Sequence, residues 1–292
     1  MGRLRYLKRC LVNQFNFKRF CCPNCDERNS ELVDRKYVVT QLRRCRRCKL
    51  LFRTPTDDPT KNQQFSEEEY AQGFTTDMPP DPKLEVMKMG NFAHTEKDYS
   101  YYIGVLKGLG LGSEARVFDF GCSWGYGSYQ LTRAGYDVAA FEIDRARRRF
   151  AEEKLMVRVV EDMHRAIADR KHIGRYNCFF SAHVLEHVPR PVTVFEFAYK
   201  LVADDGFFVS FTPNGSRAFR ETSSDWHKLW GEVHPNLIDD VFLDHQFRSS
   251  PRVLGSSPVD AFAMPNAATL YVLDALDRAE LMLVARKRPG GW

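Results

Sequence analysis

Four cysteines near the start of the chain are spaced as ligands of a single metal ion. Cys22 and Cys25 form one Cys-x-x-Cys pair, and Cys45 and Cys48 form a second. Each pair turns tightly enough to aim two sulfur atoms at one ion, and four thiolates close a tetrahedral zinc site. Cys21 offers a substitute for Cys22, but the two-residue gap favours Cys22. We therefore expect zinc with a folding role, and free thiols or a redox pair as the alternative.

A glycine-rich turn follows a predicted strand near the middle of the chain. Gly121 and Gly125 flank Cys122 and Ser123 in this turn, and Asp119 stands two residues before it. Glycine lets the backbone approach a ligand without interference from a Cβ atom, and open α/β sheets bind ligands beyond their strand ends. The spacing differs from the G-x-G-x-x-G pattern of dinucleotide binding, and a carboxylate at 119 would repel a pyrophosphate. The turn therefore favours a cofactor that carries an amino acid.

Two further carboxylates stand at the ends of the next two predicted strands. Glu142 lies about 20 residues beyond the turn, where an acidic side chain accepts hydrogen bonds from both ribose hydroxyls. Asp162 ends the third strand, where it can accept from an adenine amino group while Ile143 and Met163 sandwich the ring. Three acids at successive strand ends indicate a nucleoside-bearing ligand far more specifically than any one of them.

Strand-like and helix-like segments alternate from Glu114 onward, as a doubly wound α/β sheet requires. The predicted strands are Arg116–Phe120, Val138–Ile143, Val157–Val160, Asn177–Ser181, Phe207–Phe211, Arg252–Ser256 and Glu280–Ala285. The predicted helices between them are Tyr126–Arg133, Arg145–Lys154 and Pro191–Leu201. This alternation predicts an α/β fold with a mostly parallel, seven-stranded sheet.

The region before this sheet contains a small module and a connector. Tyr37–Thr40 and Leu50–Phe52 read as short strands around the cysteine pairs, and residues 54–82 read as a connector with one short helix near Ser66–Tyr70. A helix with one buried stripe follows, formed by Tyr99, Tyr102, Ile103, Leu106 and Leu109. These tyrosines could instead reach a bound ligand. The expected segments are 1–20, 21–54, 55–112 and 113–292, of which the third includes the helices of a lid.

Positive charge is concentrated at the N-terminus. Residues 1–54 contain fifteen Lys and Arg against four Asp and Glu, whereas the whole chain has a net charge of only +5. Such asymmetry indicates an anionic partner, such as RNA, a lipid surface or a phosphorylated substrate, and a solvated module is the alternative.

The first twenty residues have an amphipathic pattern but no membrane-spanning character. Apolar side chains recur at near-helical spacing among basic residues, namely Leu4, Leu7, Leu11 and Phe15. We expect a helix packed on its own protein or a frayed end, with contact to an anionic membrane surface as the alternative. No apolar run reaches the length of a transmembrane helix and no secretory signal is visible, so we expect a cytoplasmic protein.

The motifs together resemble the class I S-adenosylmethionine-dependent methyltransferases, over about 175 residues from Glu114 to Lys287. The resemblance implies a Rossmann-like sheet preceded by a zinc ribbon, with the glycine turn on the methionine part of the cofactor, Glu142 on ribose and Asp162 on adenine. Ser123 departs from the glycine usual in that family. The expected cofactor-binding residues are Asp119, Gly121, Cys122, Ser123, Gly125, Glu142, Ile143, Asp162, Met163 and Ser181.

Two features bear on the methyl acceptor. The run Leu185-Glu186-His187-Val188 resembles the branch of the family that methylates small molecules such as sugars and quinone precursors. The cysteine module resembles a zinc ribbon found ahead of some sugar-modifying methyltransferases, whereas another zinc-ribbon branch methylates ribosomal RNA guanine. The resemblance therefore implies a small-molecule, sugar or glycan acceptor, with RNA as the competing interpretation and a non-catalytic S-adenosylmethionine-binding scaffold as a third.

A hydroxyl acceptor needs a base to remove its proton, and imidazole suits that role. His183 and His187 follow the fourth predicted strand, and His234 lies in a polar and aromatic loop after the fifth. We expect the catalytic base among these three, with structural roles such as backbone hydrogen bonding as the alternative.

Overall fold

The computed structural model describes residues 2–57, 77–168, 170–258 and 271–292. The short helix expected near Ser66–Tyr70 lies outside these ranges. The described chain forms one large sheet with helices packed against it and one small antiparallel sheet.

The large sheet confirms the predicted α/β fold and each of the seven predicted strands. Its strands are β4 Arg116–Phe120, β5 Asp137–Phe141, β6 Val159–Val160, β7 Tyr176–Ala182, β8 Val202–Pro213, β10 Arg252–Ser257, β11 Tyr271–Leu273 and β12 Glu280–Arg286. Their order across the sheet is β11-β10-β12-β8-β7-β4-β5-β6, and β12 runs antiparallel to both of its neighbours. The edge strand β11 is an eighth strand that the sequence did not indicate.

Alternating side chains of the central strands form two apolar layers. Phe118 and Phe179 pack in one core cluster with helix residues such as Phe195, whereas Val117 and Phe180 pack in the other. This follows from the period of two along a strand. The helices are α1 Gly2–Asn13, α2 Asp81–Met89, α3 Ser100–Gly108, α4 Tyr126–Arg133, α5 Arg145–Leu155, α6 Met163–Ala168, α7 Pro191–Leu201, α8 Arg217–Thr222 and α9 Asp240–Gln246.

The small sheet joins the N-terminal module to the main domain. It contains β1 Ser30–Lys36, β2 Thr40–Cys45 and β3 Leu51–Thr54, and its fourth strand is β9, Asn236–Leu237, from far along the chain. The predicted strand Tyr37–Thr40 is wrong. Tyr37 and Val38 have φ values of +52° and +64° and form the turn between β1 and β2, where the left-handed backbone interrupts the strand pairing.

The N-terminal helix α1 forms, but the predicted stripe is not the face that it buries. Tyr6 and Cys10 are buried, whereas Leu4 is 79% exposed and Phe15, beyond the helix end, is 91% exposed. The spacing of the apolar residues therefore predicted a helix but not the face that it buries. None of the described helices is long and apolar enough to cross a membrane.

The stripe predicted on α3 is buried, as expected. Tyr99, Ile103 and Leu106 are each at most 8% exposed and pack with strand residues of the second apolar layer. Tyr102, which is partly exposed, donates a hydrogen bond to Glu280 on β12 over 2.7 Å. The helix is thereby fixed across the carboxyl ends of the central strands.

Candidate active site

A cavity of about 550 Å³ lies at the carboxyl ends of β4, β5 and β7. This is where open α/β sheets bind ligands, because the strand order reverses at β4 and leaves a crevice there. The glycine turn and β5 contribute one end of its wall, and the loops after β7 and β8 contribute the other. Both predicted functional regions therefore meet in one cavity.

The glycine turn lies tightly against the loop after β7. Gly121 has φ of +83°, and a Cβ atom on it would lie 2.4 Å from Val184 Cγ2. Ser123 also takes a left-handed conformation, with φ of +52°. A left-handed backbone conformation favours glycine. This accounts for the glycine that is usual at position 123 in the family that the sequence resembles. The Ser123 backbone N–H donates to Glu142 Oε2 over 2.9 Å.

Glu142 ties the glycine turn to the end of β5. Its second oxygen, Oε1, accepts a hydrogen bond of 2.8 Å from the Asp144 backbone N–H, and the side chain lines the cavity. Burial raises the pKa of Glu142, while these N–H groups and the nearby Arg147 oppose that rise. The carboxylate is therefore fixed where a ligand's hydroxyl groups can reach it.

Glu142 is the one of the three predicted carboxylates that lines this cavity. Asp119 is buried beneath the turn, where Ser128 Oγ donates to it over 2.5 Å and burial raises its pKa to about 7. Asp162 is exposed in a neighbouring depression, and its carboxylate accepts from the backbone N–H groups of His164 and Arg165.

The remaining predicted cofactor residues divide in the same way. Ile143 lines both the cavity and the neighbouring depression, so that it stands between Glu142 and Asp162. The others pack away from the cavity: Cys122, Met163 and Ser181 are buried, and Gly125 precedes α4 with φ of +91°.

Aromatic residues that the motifs did not identify line the same cavity. Tyr126 belongs to the wall with Tyr99 and Tyr102, and the rings of Tyr99 and Tyr126 pack edge to face with centroids 5.6 Å apart. Gly127 permits this arrangement, because a Cβ atom there would lie 2.3 Å from the Tyr99 ring. The stripe of α3 indicated Tyr99 and Tyr102, whereas no pattern in the sequence indicated Tyr126.

The three predicted histidines all line the end of the cavity that the loops after β7 and β8 form. His183 Nε2 lies 2.7 Å from Glu280 Oε1, and its side chain is half-exposed. Burial would lower the pKa of His183, but Glu186 and Glu280 raise it to about 10. His183 is thus held as a cation between two carboxylates, and no motif in the sequence indicated that Glu280 would be one of them.

His187 and His234 form a pair across this end. Their ring centroids are 4.6 Å apart, with an angle of 68° between the rings. His187 Nδ1 lies 2.9 Å from the carbonyl oxygen of Val233, and His234 Nδ1 lies 3.1 Å from that of Leu229. Burial lowers the pKa of His187 to about 4, although the charge of Glu186 opposes this.

Glu186 lies beneath the histidine pair. It is 2% exposed, and its Oε2 accepts a hydrogen bond of 3.0 Å from the Thr212 hydroxyl. Burial raises its pKa, but His183 and His187 outweigh that effect and lower it to about 2. Ligand atoms of Glu186, His187 and His234 all lie within 4.8 Å of one another.

The four predicted cysteine ligands also come together. Cys22 Sγ lies 3.5 Å from Cys48 Sγ, and Cys25 Sγ lies 3.5 Å from Cys45 Sγ. All four sulfur atoms lie within 4.8 Å of one another. Zinc–sulfur bonds of 2.3 Å at tetrahedral angles would separate the sulfur atoms by about 3.8 Å, so this donor set fits zinc. Cys21 lies outside the cluster, with its sulfur 3.9 Å from the carbonyl oxygen of Phe17.

The cysteine module carries the loop that holds His234. Strand β3 pairs with β9, and the backbone N–H of Arg53 donates to the Pro235 carbonyl over 2.8 Å. Arg44 forms an ion pair of 2.5 Å with the buried Asp239, and Lys36 donates to the Trp230 carbonyl. Several basic side chains of the module are therefore directed into the protein.

Comparisons with known proteins agree with this architecture. The profile of the methyltransferase domain family matches residues 94–250, just over half of the chain. A ubiquinone biosynthesis O-methyltransferase from Shewanella halifaxensis is 30% identical over 127 residues, which cover 41% of this chain and 52% of that protein. The chain thus spans about half the length of this curated relative.

Two solved structures share the fold at low identity. The geranyl diphosphate C-methyltransferase of Streptomyces coelicolor is 12% identical, with a TM-score of 0.50, covering 78% of this chain and 98% of its own. The plantazolicin methyltransferase is 10% identical, with a TM-score of 0.51, covering 79% of this chain and 98% of its own. The family match, which covers more than half of the chain, shows that this protein belongs to the methyltransferase domain family.

Proposed function

We propose that the enzyme methylates an oxygen atom of a small-molecule, sugar or glycan acceptor. The observation that carries this proposal is the histidine pair, His187 and His234, which lines the cavity opposite the cofactor-side residue Glu142. A nitrogen base at that position is what a hydroxyl acceptor requires and a more reactive nucleophile does not. The O-methyltransferase relative supports the same acceptor atom.

The cofactor end fits S-adenosylmethionine. In this proposal, Glu142, which lines the cavity, would accept hydrogen bonds from two ribose hydroxyls. The turn at Gly121 would let the backbone approach the methionine part without interference from a Cβ atom. Ile143 would face one side of the adenine, and Asp162 lies beyond it in the neighbouring depression. S-adenosylmethionine supplies the methyl group from its sulfonium sulfur and leaves as S-adenosylhomocysteine.

At the acceptor end, the protein aligns the oxygen and removes its proton. In-line transfer requires the acceptor oxygen about 3 Å from the methyl carbon. The acceptor oxygen forms the new bond to carbon, the electron pair of the broken carbon–sulfur bond stays on sulfur, and the hydroxyl proton passes to His187 or His234. His183 is less suited to this step because its ring already pairs with Glu280.

We further propose that the cysteine cluster binds structural zinc and that this ribbon supports the acceptor side. The four sulfur atoms suit zinc in number and spacing. The pairing of β3 with β9 then links the metal-bound module to the loop of His234. All eight cysteines lie in the described part of the chain and none forms a disulfide bond there, which is consistent with our proposal of a cytoplasmic location.

The same contacts favour a small acceptor over RNA. Arg44, Arg53 and Lys36 contribute to the basic charge of the ribbon but pair with groups inside the protein. Arg46 and Arg47 remain exposed, so some basic surface is still available to phosphate groups. That surface is smaller than the excess of Lys and Arg in residues 1–54 implies. Binding to structured RNA with a steep salt dependence would favour the RNA alternative.

The test is methyl transfer from labelled S-adenosylmethionine to panels of phenols, sugar nucleotides and structured RNA. We expect label on a hydroxyl compound, and about a hundredfold loss of turnover in His187→Ala and His234→Ala with donor affinity retained. The exposed His227→Ala is the matched control. Labelling of RNA alone, or donor binding without transfer to any panel, would overturn the proposal in favour of the RNA enzyme or the scaffold.

A further inference from the structure

Two carboxylates and one imidazolium set the charge of the acceptor end, which is the end of the cavity lined by His183, Glu186, His187 and His234. His183 Nδ1 lies 3.7 Å from Glu186 Oε1, and His183 Nε2 lies 2.7 Å from Glu280 Oε1. Burial would raise the pKa of each carboxylate, but the contacts with His183 outweigh burial and lower both pKa values. One cation is therefore held between two anions, which leaves this group with one excess negative charge.

The hydrogen-bond donors around the two carboxylates are directed at them. The Tyr102 hydroxyl donates to Glu280 over 2.7 Å, and the Thr212 hydroxyl donates to Glu186 over 3.0 Å. Both ring nitrogens of His183 face the same two carboxylates. A ligand group that has only acceptor oxygens, such as a carboxylate, would have to break these interactions to gain a donor, and each broken bond is costly.

The histidine pair presents hydrogen-bond acceptors instead of donors. The Nδ1 atoms of His187 and His234 lie 2.9 and 3.1 Å from the carbonyl oxygens of Val233 and Leu229. A ring nitrogen beside a carbonyl carries the hydrogen of a neutral imidazole, so the lone pair is on Nε2. Such a lone pair accepts a hydrogen bond from a hydroxyl or ammonium group, whereas it repels a carboxylate oxygen.

We propose that the acceptor group that enters this end of the cavity is uncharged or cationic, and that carboxylate-bearing and phosphate-bearing groups are excluded. This inference rests on the proposed function, which assigns the acceptor to this end. The excess negative charge repels an anion, and the repulsion is stronger in a cavity of low dielectric constant than in water. Arg147, the arginine among the described lining residues, lies near Glu142 at the opposite end and does not offset this charge.

The same charge balance suits the transfer of a hydroxyl proton. When His187 or His234 takes this proton, the imidazolium that forms is stabilised by the negative charge of the neighbouring Glu186. The chemical class that fits is a neutral or amine-bearing hydroxyl compound, such as a neutral sugar, an amino sugar or an uncharged phenol. The phosphates of a sugar nucleotide would have to lie outside this end of the cavity.

The test uses three phenols that share one ring and one hydroxyl but differ in charge: meta-hydroxybenzylamine, meta-hydroxybenzyl alcohol and meta-hydroxybenzoate. Each phenol is titrated into the full-length chain with S-adenosylhomocysteine bound, and the imidazole signals of His234 are followed by nuclear magnetic resonance. We expect the amine and the alcohol to bind at least about tenfold more tightly than the benzoate.

A variant separates the charge from the shape of the cavity. Glu280→Gln keeps the shape of the side chain and removes one negative charge, so it should abolish most of the difference between the alcohol and the benzoate. The His183 signal establishes that its imidazole is still protonated in the variant. The exposed Glu153→Gln, which removes a negative charge from the surface of α5, is the matched control and should leave the difference unchanged.

The inference is overturned by benzoate binding as tight as that of the alcohol, by the absence of any shift of the His234 signal, or by a difference that Glu280→Gln does not change. A thermal melt establishes that the variant is folded, and the series with the unaltered protein is decisive by itself. Methyl transfer to the same phenols is measured in parallel. Label on the hydroxyl of the benzoate would remove this inference and leave the proposed function standing. The expected order of binding without transfer to any hydroxyl compound would retain the inference and remove the function.

Discussion

Glu142 is the residue on which the proposed cofactor site depends. It accepts hydrogen bonds from the backbone of Ser123 and of Asp144 and also borders the cavity, so the carboxylate that shapes the turn is the one proposed to meet the ligand. Both interactions need two oxygen atoms in fixed positions. A shorter side chain would lose both hydrogen bonds at once, whereas glutamine would keep a single acceptor.

We expect Glu142→Ala to weaken S-adenosylmethionine binding by at least about tenfold, or about 1.4 kcal/mol. The reason is the loss of the acceptor for two ribose hydroxyls. Isothermal titration calorimetry measures the change, with the exposed Glu153→Ala as the matched control. An affinity equal to that of the unaltered protein would contradict the placement of ribose at this carboxylate.

At the scale of elements, the small sheet supports the loop before β9 that holds His234, which is the acceptor loop of the proposed function. Strand β9 is only two residues long and is held by β3, so the loop before it depends on the N-terminal module for its position. The Trp230 side chain packs with Leu42, Leu51 and Leu237 in a separate apolar cluster that spans both parts. A substitution that destabilises the cysteine module should therefore lower turnover by displacing the loop that holds His234.

We expect Arg44→Gln to lower turnover by about tenfold or more while S-adenosylmethionine affinity changes little. The substitution removes the partner of the buried Asp239, which costs about 3 kcal/mol and loosens the segment after β9. Steady-state kinetics and calorimetry separate the two effects. Arg46→Gln, an exposed arginine of the same ribbon, should leave both unchanged. Equal loss of donor affinity would show that the ribbon does not act through the acceptor loop.

At the scale of the whole molecule, the N-terminal segment presents an apolar and basic surface. Leu4, Leu11 and Val12 are exposed on α1, and Phe15 and Phe17 are more than 90% exposed just beyond it. The basic side chains of Lys8 and Lys18 are exposed on the same segment. This combination favours contact with an anionic lipid surface, the alternative that the sequence left open.

We expect the protein to sediment with phosphatidylcholine vesicles only when they contain phosphatidylglycerol. The double substitution Phe15→Ser with Phe17→Ser should reduce the bound fraction by about tenfold. The reason is that the variant lacks the two apolar side chains that would insert into the lipid surface. Met89→Ser, an exposed apolar residue on α2, is the control. Membrane contact would be contradicted by an equal bound fraction with and without phosphatidylglycerol, or by a bound fraction that the double substitution leaves unchanged.

The sequence by itself determined the features that depend on neighbouring residues. The alternation of strands and helices, the glycine turn at Gly121 and the two Cys-x-x-Cys pairs each lie within a short stretch of chain. Their geometry follows from backbone conformation and local spacing, and the structure preserves all three. Tyr37 and Val38 mark the limit of this approach, because apolar side chains favoured a strand where the pairing required a turn.

Only the tertiary structure decided which distant segments meet. It brought Glu186 and His187 beside His234, paired His183 with Glu280, and left Asp162 outside the main cavity. It also joined β9 to the ribbon. The physical reason is that periodicity defines the face that an element can bury, whereas the partner on that face depends on side-chain packing between segments far apart in the chain.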